Sequence, residues 1–268
     1  MTLEEKQQRS GKFFRFMIPA FILWLIGEYF FPVFATDQLN VLIPYFTSIG
    51  WTPDQVTDPG AIGRLVALPV PLIVGWLTIK FGPKIVFCCS IFLYGLSEML
   101  VATHFSYTTF SIGMLLIPGI GLGVLMSTFS LVKNWFRSWR GTALGIVTLI
   151  SPIGNATSTQ YLTAGTGSIG FTPTMMIIAC IVAATGILGM FIVRSKPEDI
   201  GCFPDGAVVA PPPEVLEHDE HVDRINILHV IRHKEAWAHM LIFGICGMSL
   251  VVYPGFFIPR FAELGFTP

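Results

Sequence analysis

Four ionisable side chains sit where charge is costly. Glu28, Asp37, Arg64 and Glu98 each lie in a long apolar stretch. A carboxyl group in such a setting binds and releases a proton or pairs with a cation, and a guanidinium pairs with a carboxylate or receives an anion. At about 1.5 Å of rise per helical residue, Glu28 falls near the middle of its stretch, and Asp37 and Arg64 fall at similar heights nearer one edge. Asp37 and Arg64 therefore either pair with each other, or Arg64 faces an anionic solute or extends its stem to a polar boundary. Glu28 and Asp37 sit on roughly opposite faces of an ideal helix, with Pro32 between them to bend the axis. These two are the candidates for protonation or gating.

A second constellation is uncharged. Thr148, Ser151, Asn155 and Thr159 recur at three- and four-residue steps, with Ser158, Gln160 and Thr163 close by. That spacing puts hydroxyls and an amide on one helical face. Such a face either lines a path for a polar solute or bonds to another helix. Tyr29, Thr36 and Asn40 add polar groups near Glu28 and Asp37. Arg64, Thr148, Ser151, Asn155, Thr159, Tyr29 and Asn40 are the candidates for a substrate path.

The elements that must hold these residues follow from composition. Of the 268 residues, 53% are hydrophobic and only 12% charged, and the mean hydropathy is +0.67. That is about half the charge of an ordinary soluble domain. It is too little to coat a water-facing surface, which argues against a soluble enzyme, a nucleic-acid binder and a disordered chain. A bilayer core takes about 20 apolar residues per helix. Spans are expected over about 16–46, 60–79, 84–103, 108–132, 142–164 and 172–193, with a seventh over about 236–258. The first holds Pro19, Pro32 and Pro44 and should bend. The runs are too long and too evenly apolar for barrel strands. The five cysteines lie in or beside apolar runs with no CxxC, and read as small packing residues. No removable signal peptide is expected ahead of the first span.

Lysine and arginine fix an expected orientation. Of the 16, all but Arg64 and Arg260 flank the spans on one side: before span 1, between spans 2 and 3, 4 and 5, and 6 and 7. The loops at 47–59, 104–107 and 165–171 hold none. The positive-inside bias places the basic side, and the N-terminus, in the cytoplasm.

IPYFTSIGWTP, Ile43 to Pro53, returns as IPRFAELGFTP, Ile258 to Pro268. Six of eleven positions match at a constant offset of 215. Each copy follows an outward-running helix. The pattern reads as a shared helix exit built on glycine and Thr-Pro, or as a duplicated six-span unit of which the second copy breaks off after one helix. The expected division is 1–193 as a six-helix bundle, 194–235 as a cytoplasmic linker and 236–268 as the first helix of a truncated second bundle. The linker carries PPP at 211–213, the run EHDEHVD and an amphipathic INILHVIRHKEAW. His229 and His233 are spaced for a metal only if helical, and a surface helix is the simpler reading. Gly119, Gly121 and Gly123 lack the strand and Lys-Ser/Thr of a nucleotide loop. With Gly141 and Gly145, they read as close helix packing.

GWLTIKFGPKI, from Gly75 to Ile85, resembles the loop motif of the major facilitator superfamily, with Gly75, Lys80, Gly82 and Lys84 in place. Ile79 stands where that motif has an acid, and Ile85 where it has its last base. WFRSWRGTALGI (Trp135 to Ile146) resembles the superfamily's opening of helix 5. SKPEDIGCFPDG (Ser195 to Gly206) is similar to the stretch after helix 6 in its oxalate/formate antiporter-like and monocarboxylate-like branch. Span 4, with IGMLLIPGIGLG, lacks the arginine that the superfamily often carries there for proton coupling.

The resemblance implies an all-α polytopic membrane protein with a six-helix N-terminal bundle. It implies secondary transport of a small solute, an organic anion such as a carboxylate, by alternating access. A proton or an exchanged solute would be the coupling partner. It places helix 5 beside the central cavity and helix 3 on the outside of the bundle, where Glu98 reads as structural or near the outer interface rather than as a ligand contact. No enzyme activity, cofactor, metal or nucleic-acid partner is expected, and the location is the bacterial inner (cell) membrane. A seven-helix receptor fits the span count but has its N-terminus outside. An ATP-driven permease subunit does not account for the repeat.

Overall fold

A computed structural model describes residues 3–207 together with 232–235, 237, 238, 241, 242 and 245. The chain divides into two compact units, Met1–Ala210 and Pro211–Pro268. Most of span 7, the second copy of the repeat, the PPP and acidic runs, His229 and Cys246 lie outside the described residues. Among the described residues every regular element is helical.

The first span is three pieces: α1 (Leu3–Pro32), a π-turn (Val33–Asp37) and α2 (Leu39–Ser48). Of the three prolines expected to bend it, Pro32 marks the break, while Pro19 and Pro44 lie inside helices. Pro32 has no N–H to give to the carbonyl one turn back, so the ladder is interrupted there.

The second span is longer than its sequence suggests, and it is broken. α3 (Pro53–Val66) and α4 (Val70–Phe81) meet at 57°. Pro69 and Pro71 stand at the start of α4 and deny the ladder two N–H groups where α3 ends. The remaining helices are α5 (Pro83–Thr103), α6 (Tyr107–Trp135), α7 (Arg140–Ile169) and α8 (Phe171–Ile192).

Four of these helical segments are apolar and long enough to cross a membrane, and a fifth is if the bent pair counts as one. α7 has 30 residues, about 45 Å, but its threonines, serines and glycines leave it below that apolarity. Large apolar side chains face outward, among them Leu68, Leu72, Ile79, Phe105 and Phe191. Water would penalise such a surface, whereas lipid is its natural solvent.

The helices pack as α5 against α8 and α6, α3 against α6, and α1 against α7, α6 and α8. Small residues set the closest crossings. A Cβ on Gly95 would meet the backbone of Ala179 and Ala183, and one on Gly186 the backbone of Cys88 and Phe92. Gly119, Gly121 and Gly123 also abut neighbours. Gly141 and Gly145 do not pack as expected: both are exposed, with open space beside them among the described residues. They fall away from the line Ala143, Val147, Gly154, Ser158 that α7 buries. Cys88 and Cys202 are buried, while Cys89 and Cys180 are exposed.

The two ends of the bundle differ in chemistry. At one end Tyr45, Phe46, Trp51, His104, Phe110 and Phe171 form a continuous ring cluster, with Tyr45 stacked on Phe171 at 4.0 Å and Phe46 on Trp51 at 4.5 Å. Amphipathic rings concentrate at membrane–water boundaries. The first copy of the repeat ends here, and its residues have local work. Gly50 turns the chain at φ +98. Thr52 then caps α3: its hydroxyl accepts from Gln55 N, and Gln55 Oε1 accepts from Thr52 N.

The opposite end gathers the basic loops. Lys80 lies over the Trp76 ring at 4.7 Å, and Gly82, at φ +82, starts α5 beside Ser195. Arg140 donates to the carbonyls of Phe136 and Lys133 at the end of α6, where the helix dipole is negative. Residues 194–207 fold back on this end. Asn134 Nδ2 donates to Ser195 O, and Trp135 Nε1 to Arg194 O. The Asp205 carboxylate accepts from Arg137 N at 3.0 Å and from Ser138 N at 2.6 Å. Hydrogen bonds to a charged acceptor contribute about 1.5–3 kcal/mol. Asp205→Ala should therefore loosen the strap and speed tryptic cleavage after Arg194 about tenfold or more. Cleavage at the wild-type rate would show that the carboxylate does not hold it.

Candidate functional site

The site is built on the broken first span. A π-turn leaves carbonyls out of register with the helix ladder, and each must find a donor. Here side chains supply them. Tyr94 Oη donates to Phe31 O at 2.8 Å, Thr36 Oγ1 to Pro32 O at 3.0 Å, Gln38 Nε2 to Phe34 O at 2.6 Å and Arg64 Nη2 to Ala35 O at 2.9 Å. Gln38 N closes the turn on Val33 O at 2.9 Å. Three helices thus converge on one defect: α5 through Tyr94, α3 through Arg64, and the first span itself.

Arg64 and Asp37 lie at one level but are not an ion pair. The exposed Arg64 makes its one hydrogen bond among the described residues to the Ala35 carbonyl. Asp37 turns to α7 instead, where Ser158 Oγ donates to its Oδ2 at 2.9 Å, while Thr36 Oγ1 approaches Oδ1 at 3.2 Å. The freed carbonyl of the π-turn competes for the guanidinium, and Ser158 competes for the carboxylate.

A polar seam joins the first span to α7. Gly154 makes it possible: a Cβ there would collide with the Tyr29 carbonyl oxygen. Thr157 Oγ1 donates back to Ile153 O at 2.7 Å, so at its 2.7 Å contact with Tyr29 the tyrosine hydroxyl is the donor. Tyr161 stacks on Tyr29 at 6.5 Å between centroids. Asn40 Nδ2 reaches Thr159 Oγ1 at 3.4 Å. Of the four residues in the expected stripe, only Thr159 hydrogen-bonds through its side chain to the first span among the described residues. Thr148 returns its hydroxyl to Leu144 O at 2.9 Å. Asn155 is exposed and Ser151 half-buried beside it.

The residues that sequence reasoning missed are Thr157, Gln38 and Tyr94. Gly154 and Ser158, one turn apart, were a usable signal for the seam, since paired small residues mark close helix crossings. Gln38 and Tyr94 carried none, because their roles exist only once the π-turn forms.

The other two carboxyl groups face away from the seam. Glu28 is 1% exposed, beside Thr128 of α6, and its Oε1 has no hydrogen-bond partner. Glu98, on α5, is wholly enclosed. It lies against Gln38, whose amide donors are taken by Phe34 O and by Met114 Sδ at 3.9 Å, so neither Glu98 oxygen has a donor. Among the described residues no group of His, Cys, Asp or Glu is placed to hold a metal. His233 lies 3.8 Å from Glu235.

The arrangement is a broken helix with an exposed cation at the break, a half-buried carboxylate beside it and a polar seam alongside. In membrane proteins, non-helical backbone at depth is tolerated where it is buried in protein or lines a water-filled cavity, and interrupted helices mark solute sites in carriers. No curated protein matches the chain. A family model described as Major Facilitator Superfamily matches residues 25–267, nearly the whole sequence. With its apolar helices and its all-helical fold, the chain belongs to the major facilitator superfamily, and its work is transport across a membrane.

Proposed function

We propose that this protein carries a small organic anion, a carboxylate of the kind handled by the oxalate/formate antiporter-like and monocarboxylate-like branch. The observation that carries the reading is Arg64. It is exposed at the break in the first span, and four of its five N–H donors are uncommitted among the described residues. A guanidinium presents a planar fork that suits a carboxylate bidentately. The backbone carbonyl of Ala35 orients the fork without neutralising it, which an ion pair with Asp37 would do.

Tyr29, Asn40, Ser151, Asn155 and Thr159 supply neutral polar contacts along the same path, and Thr148 sits further along α7. Asp37 is the gating carboxylate. Its bond to Ser158 ties the π-turn to α7, and protonation or approach of a substrate anion would change it. Glu28 is the second proton-carrying candidate, on the opposite side of the first span. The bundle described here forms one wall of the path, and transport proceeds by alternating access against a second bundle. The basic loops hold the N-terminus in the cytoplasm of the inner (cell) membrane.

Uptake into proteoliposomes of a labelled panel tests the reading: a monocarboxylate, a dicarboxylate, a neutral sugar and a cationic amine. Uptake of one carboxylate class, accelerated by the same anion or by a proton gradient on the other side, is the expected result. Uptake of the sugar or the amine alone would refute it.

A further inference from the structure

A groove of ligand size lies apart from the π-turn. It has a volume of about 730 Å³ and runs between the start of α1 and the last turn of α8. Lys12 and Arg15 stand on one side, and Phe16, Pro19, Phe191 and Ile192 form the apolar walls. Lys12 and Arg15 are three residues apart, on one face of α1. Both are exposed, and neither has an ion-pair or hydrogen-bond partner among the described residues. Among the described residues that line the groove none is acidic. Phe191 is 73% exposed in its wall.

The position of the groove fits its chemistry. α8 stops at Ile192, while α1 extends past it toward its own N-terminus, so the two cations overhang the point where the apolar part of α8 ends. This is the end of the bundle that carries the basic loops. At that depth a bilayer presents phosphate groups above and acyl chains below, the same order in which the groove presents cations and rings. A free phosphate would use the cations but leave Phe16, Pro19, Phe191 and Ile192 unmatched. The size is that of a small-molecule site.

We infer that this groove is a site for one anionic phospholipid, its phosphate held by Lys12 and Arg15 and its acyl chain laid along Phe16, Pro19, Phe191 and Ile192. Basic pockets between membrane helices on the cytoplasmic side are where acidic headgroups bind. The site uses none of the residues assigned to the substrate path, so it stands or falls independently of the anion-carrier reading. It rests only on the chain spanning a bilayer.

The test is native mass spectrometry of the whole purified chain. The protein is offered phosphatidylglycerol and phosphatidylcholine with identical acyl chains, and the retained lipid is counted. Two cations near an acidic headgroup should give the wild type a preference of about tenfold for the glycerol lipid. K12Q/R15Q should abolish the preference, K12R/R15K should keep it, and K80Q/K84Q, which removes two cations from the same end of the bundle, should leave it intact. Excess glycerol phosphate should not displace the lipid.

Equal retention of the two lipids would overturn the site. So would a preference that survives K12Q/R15Q, or one lost equally in K80Q/K84Q. Displacement by glycerol phosphate would reduce the site to a simple anion site and overturn its assignment to a lipid.

Discussion

Arg64→Ala is expected to reduce carboxylate uptake by about tenfold to a hundredfold while leaving the protein folded. The magnitude follows from losing one charge-assisted bidentate contact, about 1.5–3 kcal/mol, at about 1.4 kcal/mol per factor of ten. Folding should be spared because Arg64 is exposed and the Ala35 carbonyl it releases can turn to water. Arg64→Lys separates charge from shape. It keeps the cation but loses the fork, and should recover only part of the uptake. Uptake equal to wild type in Arg64→Ala, measured in proteoliposomes at matched protein content, would remove Arg64 from the path. A fall in uptake matched by a fall in the folded fraction would make its role structural.

Gly154→Val is expected to damage both stability and transport. The added side chain has no room. Its first carbon meets the Tyr29 carbonyl oxygen, and Pro32 Cγ stands 3.5 Å away. Both belong to the first span and cannot rotate aside like the tip of a flexible side chain. α7 must therefore move away from α1. That stretches three contacts at once: Tyr29 to Thr157, Asp37 to Ser158 and Asn40 to Thr159. Overpacking of this kind costs about 1–3 kcal/mol. Thermal unfolding in detergent should show a midpoint lower by several degrees, and the folded fraction should transport poorly because the seam is open. Ile153→Ala, next in sequence but exposed, is the control and should do neither. A Gly154→Val protein with wild-type midpoint and uptake would show that the crossing is looser than the structure places it.

The two variants report on different levels of the protein. Arg64 is a recognition group whose loss leaves the scaffold intact. Gly154 is a scaffold residue whose change reaches the site through backbone. Asp205 on the strap and the Lys12/Arg15 groove extend the same division to the basic end of the bundle. There, residues 194–207 are tied to the loop between α6 and α7 by its backbone N–H groups on Asp205, and to the end of α6 by the Trp135 indole N–H on Arg194 O.

Membrane spans were legible in the sequence because burial in lipid is a matter of composition over about 20 residues, and no tertiary contact is needed to decide it. The positions of α5, α6 and α8 follow from that alone. α7 is less oily, and its polar residues were legible as a functional signal for the same reason: lipid does not tolerate them cheaply. Proline marked the first span as bent, since a missing N–H is a local fact, but not which of Pro19, Pro32 and Pro44 would carry the break. The family was legible from short loop motifs, whose glycines and bases answer to local turn and dipole geometry.

What the chain could not reveal by itself was which donor meets which acceptor. The spacing of Asp37 and Arg64 allowed an ion pair. The fold refused it, because the π-turn exposes the Ala35 carbonyl to Arg64 and α7 brings Ser158 to Asp37. Glu98 gave no sign of being enclosed, since its burial depends on how α5 meets its neighbours. The break between α3 and α4 and the closeness of Gly154 to Tyr29 were likewise decided in three dimensions. Composition and local sterics set where each helix lies along the chain. Which side chains satisfy the broken backbone is settled only when helices far apart in sequence come within 3 Å of one another.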